Sequence, residues 1–347
     1  MSMKHNFLKN ILGGDSAVDG GFYFGDKTEP SKADVVIVSA PWSVTADFGR
    51  GATYTPDAII DASAGGDCYD AVSGISVAGR VATAEIDYNI QELSEHLGRE
   101  AERVAHHTSA DDSVVGEYVA RKVAHVNEGF AEMQTTVYKQ VKCWASKGKR
   151  IAVIGGDHSV AFGAVKALSE QYEEMGVLFI DAHADFSRDG EIFNYSHRSV
   201  ARNIVEEIPA VGLVEVGVRD IKEIEAKELN SNDKVKLFLA EKIAARRFGG
   251  ESWGDICREI VGLLPQKVYV SLDIDALKIE FCNNTNAPVP GGMTFDEVVY
   301  LVNSVVESGR EIVGFDISEV VSSIDNKMDA IVGARLLAKM CVATLRK

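Results

Sequence analysis

The chain has 347 residues, 46% of them apolar and 25% charged, an ordinary globular balance with length enough for a sizeable core. Its formal net charge of −16 makes a surface unsuited to nucleic acid or anionic membrane and favourable to a cationic ligand. No run reaches the ~18 apolar residues of a membrane span, Met1 to Gly14 has no apolar signal core, and Cys68, Cys143, Cys257, Cys282 and Cys341 form no CxxC pair. A cytoplasmic protein with free thiols is expected.

Residues 1–33 are Gly-rich and irregular and read as a surface arm, leaving 34–347 as a single domain, because no Pro, Gly or Ser linker divides it. Val35 to Val38 is a first buried strand. Thr55-Pro56-Asp57 reads as a helix start, with a capping hydroxyl, Pro at the first helical position and an acid in the first turn. The helix continues over Ala58 to Ala64. A strand is expected at Val81 to Ile86, residues 91–113 carry no clear period, and Val114 to Ser146 reads as a long helix. Further strands are expected at Ile151 to Ile154, Val177 to Ile180, Leu213 to Val218, Val235 to Leu239, Val268 to Leu272 and Ile312 to Ile317. Helical stretches separate most of them. The last helix runs from about Asp329 to Leu345, with Ile331, Ala334, Leu337 and Met340 on its apolar face. Near-continuous apolar strands alternating with helices predict an α/β fold, a parallel sheet covered on both faces.

Polar groups cluster where these strands end. Val177 to Ile180 stops abruptly in Asp181, His183 and Asp185. Side chains two apart on a strand share a face, so Asp181 and His183 can converge. Asp185 would lie ~13 Å beyond Asp181 on an extended run, so the chain must curl after His183 for all three to meet. Ile151 to Ile154 runs into Gly155-Gly156-Asp157-His158-Ser159, where the glycines permit a tight turn. Val268 to Leu272 ends in Asp273 and Asp275, and Ile312 to Ile317 contains Asp316 and precedes Glu319. Carboxyl ends of parallel strands are where open α/β sheets place ligands.

Each group has a plain alternative: solvated turn acids, a helix-capping histidine, a loop DxD. Together they bring His158, Asp181, His183, Asp185, Asp273 and Asp275 to one edge. Four unpaired aspartates there would cost several kcal/mol in repulsion and desolvation. A pair of divalent cations removes that cost. Two imidazoles and four carboxylates without thiolate suit Mn²⁺, with Ni²⁺, Co²⁺, Zn²⁺ or Fe²⁺ possible. Six ligands exceed the three of one catalytic zinc. His5, His96, His106, His107 and His125 lie outside these strand ends and read as ordinary surface or helix residues.

Gly155-Gly-Asp-His-Ser159, Asp181-Ala-His-Ala-Asp185 and Ser271-Leu-Asp-Ile-Asp275 resemble, in order and spacing, the three signature motifs of the ureohydrolases, the arginase–agmatinase family. Phe48-Gly-Arg-Gly-Ala-Thr-Tyr-Thr-Pro56 looks like its N-terminal loop, Ser196-His197 like the Ser-His of agmatinases, and Pro288 to Gly292 and Asp316 to Val320 like its later motifs. The resemblance implies a three-layer α/β/α fold with a mostly parallel eight-stranded sheet. It also implies two Mn²⁺ per subunit, a trimer or hexamer, and hydrolysis of a guanidino compound to urea and an amine by a metal-bridging hydroxide. It places His158 and Asp185 on one ion, His183 and Asp275 on the other, Asp181 and Asp273 on both. His197 would shuttle protons, Asp185 would pass one to the leaving amine, and Glu319 would hold the guanidinium.

The chain departs from the family after Asp275. Leu277 is followed by Lys278 and Ile279, and Asn286-Ala287 replace a Gly-Thr pair. Ser187 and Lys222 stand where arginases carry Asn and Asp. Lys222 would repel an α-ammonium, which argues against arginine, and with Arg188 it could receive a carboxylate. Agmatinase-like activity is the first expectation. Guanidino-acid hydrolase, formimidoylglutamase and arginase follow, and a ligand-binding member without turnover is the contrasting class.

Overall fold

The computed structural model describes residues 21–46, 51–66, 68–107, 113–188, 192–209, 211–323 and 325–346. Among these, eight strands form one sheet: β1 (Val35–Ala40), β2 (Val81–Thr83), β3 (Arg150–Gly155), β4 (Met175–Ile180), β5 (Gly212–Val216), β6 (Val235–Phe238), β7 (Lys267–Asp273) and β8 (Glu311–Ser318). Their order is β2-β1-β3-β8-β7-β4-β5-β6. Every pairing in it is parallel.

Alternation along each strand splits the apolar side chains between two cores. Ile37, Leu178 and Val270 point to one face and Val36, Phe179 and Tyr269 to the other. The first face is covered by α1 (Thr55–Ser63), α7 (Ala240–Phe248), α8 (Trp253–Gly262), α9 (Phe295–Glu307) and α10 (Met328–Leu345). The second is covered by α2 (Tyr88–His107), α3 (Ser113–Ala145), α4 (Ala161–Ser169), α5 (Val200–Glu207) and α6 (Glu223–Ser231). The result is the expected three-layer α/β/α arrangement.

Several local expectations are corrected. The stretch after residue 91 without clear period is the body of α2, which buries Ile90, Leu97, Ala101 and Val104 at helical spacing behind a charged outer face. Thr55 does not cap α1. Its hydroxyl donates to the Val320 carbonyl at 2.6 Å, tying α1 to the end of β8, and Tyr54 takes the cap position. The strand at Val81 stops at Thr83, short of Ile86. Ile331 is 47% exposed, whereas Ala334, Leu337 and Met340 are buried. Of residues 1–33, 1–20 lie outside the described residues, as do Phe48 to Arg50 of the N-terminal loop. Tyr23 and Phe24 pack into the first core. All five cysteines are free.

Candidate active site

The four strands that end in polar motifs are neighbours: β3, β8, β7 and β4 fill the middle of the sheet in that order. Their carboxyl ends therefore meet on one edge. After β3 the backbone passes close under Trp42. A Cβ on Gly156 would sit 1.7 Å from the Trp42 carbonyl oxygen, so only glycine fits there. Asp157 then fixes the turn, accepting from the amides of Ser159 (3.1 Å) and Val44 (3.2 Å). This delivers His158 fully into the interior, stacked on Phe179 with ring centroids 4.5 Å apart.

His158 Nε2 lies 2.9 Å from Ser271 Oγ, and that hydroxyl donates to Asp316 Oδ2 at 2.8 Å. This relay sets the ring so that Nδ1 faces the acids. Around Nδ1 stand Asp181 Oδ2 at 2.8 Å, Asp185 Oδ2 at 3.3 Å and Asp273 Oδ2 at 3.5 Å. Across Asp181, His183 Nδ1 lies 2.9 Å from Asp275 Oδ2 and 3.5 Å from Asp181 Oδ1. Two triads with ligand geometry result, His158–Asp181–Asp185 and Asp181–His183–Asp275, sharing Asp181. Asp273 approaches His158 but belongs to neither triad. Its Oδ1 accepts from the Asp275 amide at 2.8 Å, which turns the chain from one acid to the next.

The curl expected after His183 is present. Asp185 has φ +46°, a left-handed backbone that bends its carboxylate back toward His158. Glu319 has φ +60°, so two of the three non-glycine residues with positive φ among the described residues carry candidate site acids. Such conformations cost roughly 1–3 kcal/mol each and persist where surrounding structure holds them. For Glu319 the hold is visible. Its amide donates to the Gly156 carbonyl at 2.8 Å, Oε1 accepts from the His158 amide at 3.2 Å, and Oε2 accepts from Asn286 Nδ2 at 2.8 Å.

The charge balance is one-sided. Burial, then the charges of Asp275, Asp181 and Glu319, push Asp273 well above the usual carboxylate range. Burial and Asp181 raise Asp185 to about 7. His183 is also raised, which for an imidazole favours the charged form: burial opposes its charge, but Asp181 and Asp275 lift it to about 12. No lysine or arginine ion pair reaches these aspartates among the described residues. Hard oxygen donors and imidazoles crowded around shared points, with their own cations too few, fit divalent ions of the Mn²⁺ to Zn²⁺ group.

A cavity of about 400 Å³ opens over His183 and Asp185 and is also lined by His197, Arg198, Lys222 and Ala287. His197 Nδ1 lies 2.9 Å from Thr45 Oγ1, which orients the ring at the cavity wall. Lys222 Nζ donates to Ser187 Oγ at 2.7 Å, and that hydroxyl donates to the buried Glu225 at 2.6 Å. Arg188 is elsewhere, paired with Glu206 on the surface. Its expected place in the pocket is taken by Arg198.

Five further residues escaped the sequence reading. Ser271 was visible only as the first residue of a strand motif, Asn286 only as a departure from the family pattern, and Thr45 carried no signal. Arg219 follows β5 and its guanidinium binds the carbonyls of Asp275 (2.7 Å) and Val289 (3.0 Å), locking the altered 278–287 segment at both ends. Glu215 lies inside β5, 0% exposed, with neither carboxylate oxygen hydrogen-bonded. Burial first, then Asp181 and Asp185, raises it well above the usual range.

The sequence profile of the Arginase family matches residues 33–342. N(1)-aminopropylagmatine ureohydrolase of Thermus thermophilus is 29% identical over 86% of each chain. Proclavaminate amidinohydrolase of Streptomyces clavuligerus is 32% identical over 50% of this chain and 55% of its own. The crystal structure of agmatine ureohydrolase of Thermoplasma volcanium superposes with a TM-score of 0.65 at 21% identity, covering 92% of each chain.

Proposed function

The chain belongs to the arginase family, hydrolases of guanidino C–N bonds, and on that premise we propose that it is a two-cation amidinohydrolase of the agmatinase type. The observation that carries this reading is the pair of triads sharing Asp181. His158 and Asp185 would hold one ion, His183 and Asp275 the other, with Asp181 and Asp273 toward both. Mn²⁺ is the first choice for this donor set. When bound, such ions lower the pKa of water and supply hydroxide near neutral pH.

The protein's own residues do the rest. Asp185, held toward His158 by its left-handed backbone, takes a proton at the tetrahedral stage and returns it to the leaving amine. His197, fixed through Nδ1 by Thr45, exchanges protons between cavity and solvent. Glu319 receives the guanidinium by charge-assisted hydrogen bonds, with Asn286 setting the carboxylate plane. The catalytic unit is residues 34–347 as one domain, acting in the cytoplasm as a homo-oligomer.

A second reading of the substrate rests on Lys222 and Arg198 in the cavity wall. Two cationic side chains there oppose the amine tail of agmatine and suit the carboxylate of a guanidino acid. Assays with Mn²⁺ of urea release from agmatine, guanidino acids and arginine, and of formamide release from formimidoylglutamate, test both readings. Urea from agmatine or a guanidino acid in excess of that from arginine is expected. No urea and no formamide from any of them would sink the hydrolase reading, and a preference for arginine would overturn the ordering.

A further inference from the structure

Outside the sheet edge, a second group of metal-capable side chains stands on the helical layer. His96 and Glu100 are one turn apart on α2, and His125 faces them from α3. One ligand atom from each lies within 4.8 Å of the others. His96 Nε2 is 3.6 Å from Glu100 Oε1, and His125 Nδ1 is 2.7 Å from Glu100 Oε2. The two rings meet edge to face with centroids 5.8 Å apart.

The frame beneath is rigid. Gly129, one turn beyond His125, lets α3 come so close that a Cβ there would sit 2.0 Å from Leu97 Cδ1, next to His96. Leu97, Val126 and Phe130 are fully buried at this contact. The helices are therefore locked one turn from the triad, and the three side chains need only rotamer changes to converge. Glu100 is buried to 7% side-chain exposure, whereas His96 (55%) and His125 (46%) are open to solvent, which gives an ion a way in.

The charge count goes beyond an ion-pair staple. Glu100 is one carboxylate, and Lys122 already contacts its Oε1. That pairing satisfies the charge, while His96 and His125 bring one imidazole nitrogen each to the two oxygens of the same carboxylate. A tetrahedral ion with ligand bonds of ~2.0–2.2 Å spaces its ligands about 3.4 Å apart, near the His96–Glu100 separation. Lys122 has a flexible stem and is 22% exposed, so its ammonium can swing to water.

We propose that His96, Glu100 and His125 form a surface site for a borderline divalent ion of the zinc type, which displaces Lys122 from Glu100 and clamps α2 to α3. Two imidazoles and one carboxylate with an open fourth position are a donor set zinc accepts. The site is independent of the sheet-edge triads and of the reaction proposed for them.

Equilibrium dialysis of the full chain against Zn²⁺ alone tests it. The His96→Ala/His125→Ala variant keeps the sheet-edge ligands, so it should hold one Zn²⁺ per chain fewer than wild type. Equal Zn²⁺ content in the two proteins would overturn the proposal. Lys122→Met removes the competing ammonium and keeps the stem, so Zn²⁺ should bind this site about tenfold more tightly, a gain of ~1.4 kcal/mol. Unchanged or weaker binding in that variant would overturn it too.

Discussion

The sheet edge and the α2–α3 surface both join histidine to carboxylate, yet they differ in how negative charge is answered. At the edge, four aspartates share two imidazoles, and Asp181, Asp185, Asp273 and Asp275 are all less than a tenth exposed. On the surface one glutamate is shared by Lys122 and His125: burial pushes its carboxyl up, but the two cationic partners together hold it below the usual range. The first cluster cannot be balanced by the protein's own cations, while the second already is. Depth and charge count, more than residue type, separate a site that demands an ion from one that tolerates it.

The sharpest way to break this comparison is to remove the shared acid. Asp181→Ala should lose at least one of two bound ions and lower urea release at least ~10³-fold, about 4 kcal/mol of transition-state stabilisation. Activity within tenfold of wild type would erase the distinction. Glu319→Gln should lower kcat/KM by ~10- to 100-fold through KM, the worth of a charged hydrogen bond, without changing metal content. Asp316→Asn loosens the Ser271 relay behind His158 and should weaken metal binding ~10- to 100-fold, measured by metal titration.

The smallest expected effect concerns Glu215, a buried acid whose carboxylate oxygens accept no hydrogen bond. Its folded pKa lies well above the ordinary 4.5, so above that pH the unfolded chain ionises while the folded chain keeps the proton. Stability contributed in acid is then lost as pH rises toward the folded value. Glu215→Gln should flatten this slope and raise stability at pH 8 by about 1–3 kcal/mol in denaturant melts. An unchanged pH slope would show that Glu215 is not the source.

The fold was legible because most of the sheet strands carry apolar runs, and their alternation with helices along the chain left little besides a parallel sheet. The site was legible because its acids sit at strand ends, where an i, i+2 pattern has geometric meaning. What escaped reading depends on contacts across the chain. Ser271 matters through His158, 113 residues away, and Asn286 through Glu319. Arg219 acts on backbone carbonyls, which no side-chain pattern encodes. The period of α2 was masked because its apolar residues are few among charged neighbours, and Lys222 could be placed by position but not by its partner Ser187.

Equilibrium dialysis against Mn²⁺, followed by metal analysis of the purified chain, tests most directly whether buried acids at the sheet edge exist to hold cations. About two Mn²⁺ per wild-type chain, falling to one or none in Asp181→Ala, is the predicted result. No bound Mn²⁺ in wild type would contradict it.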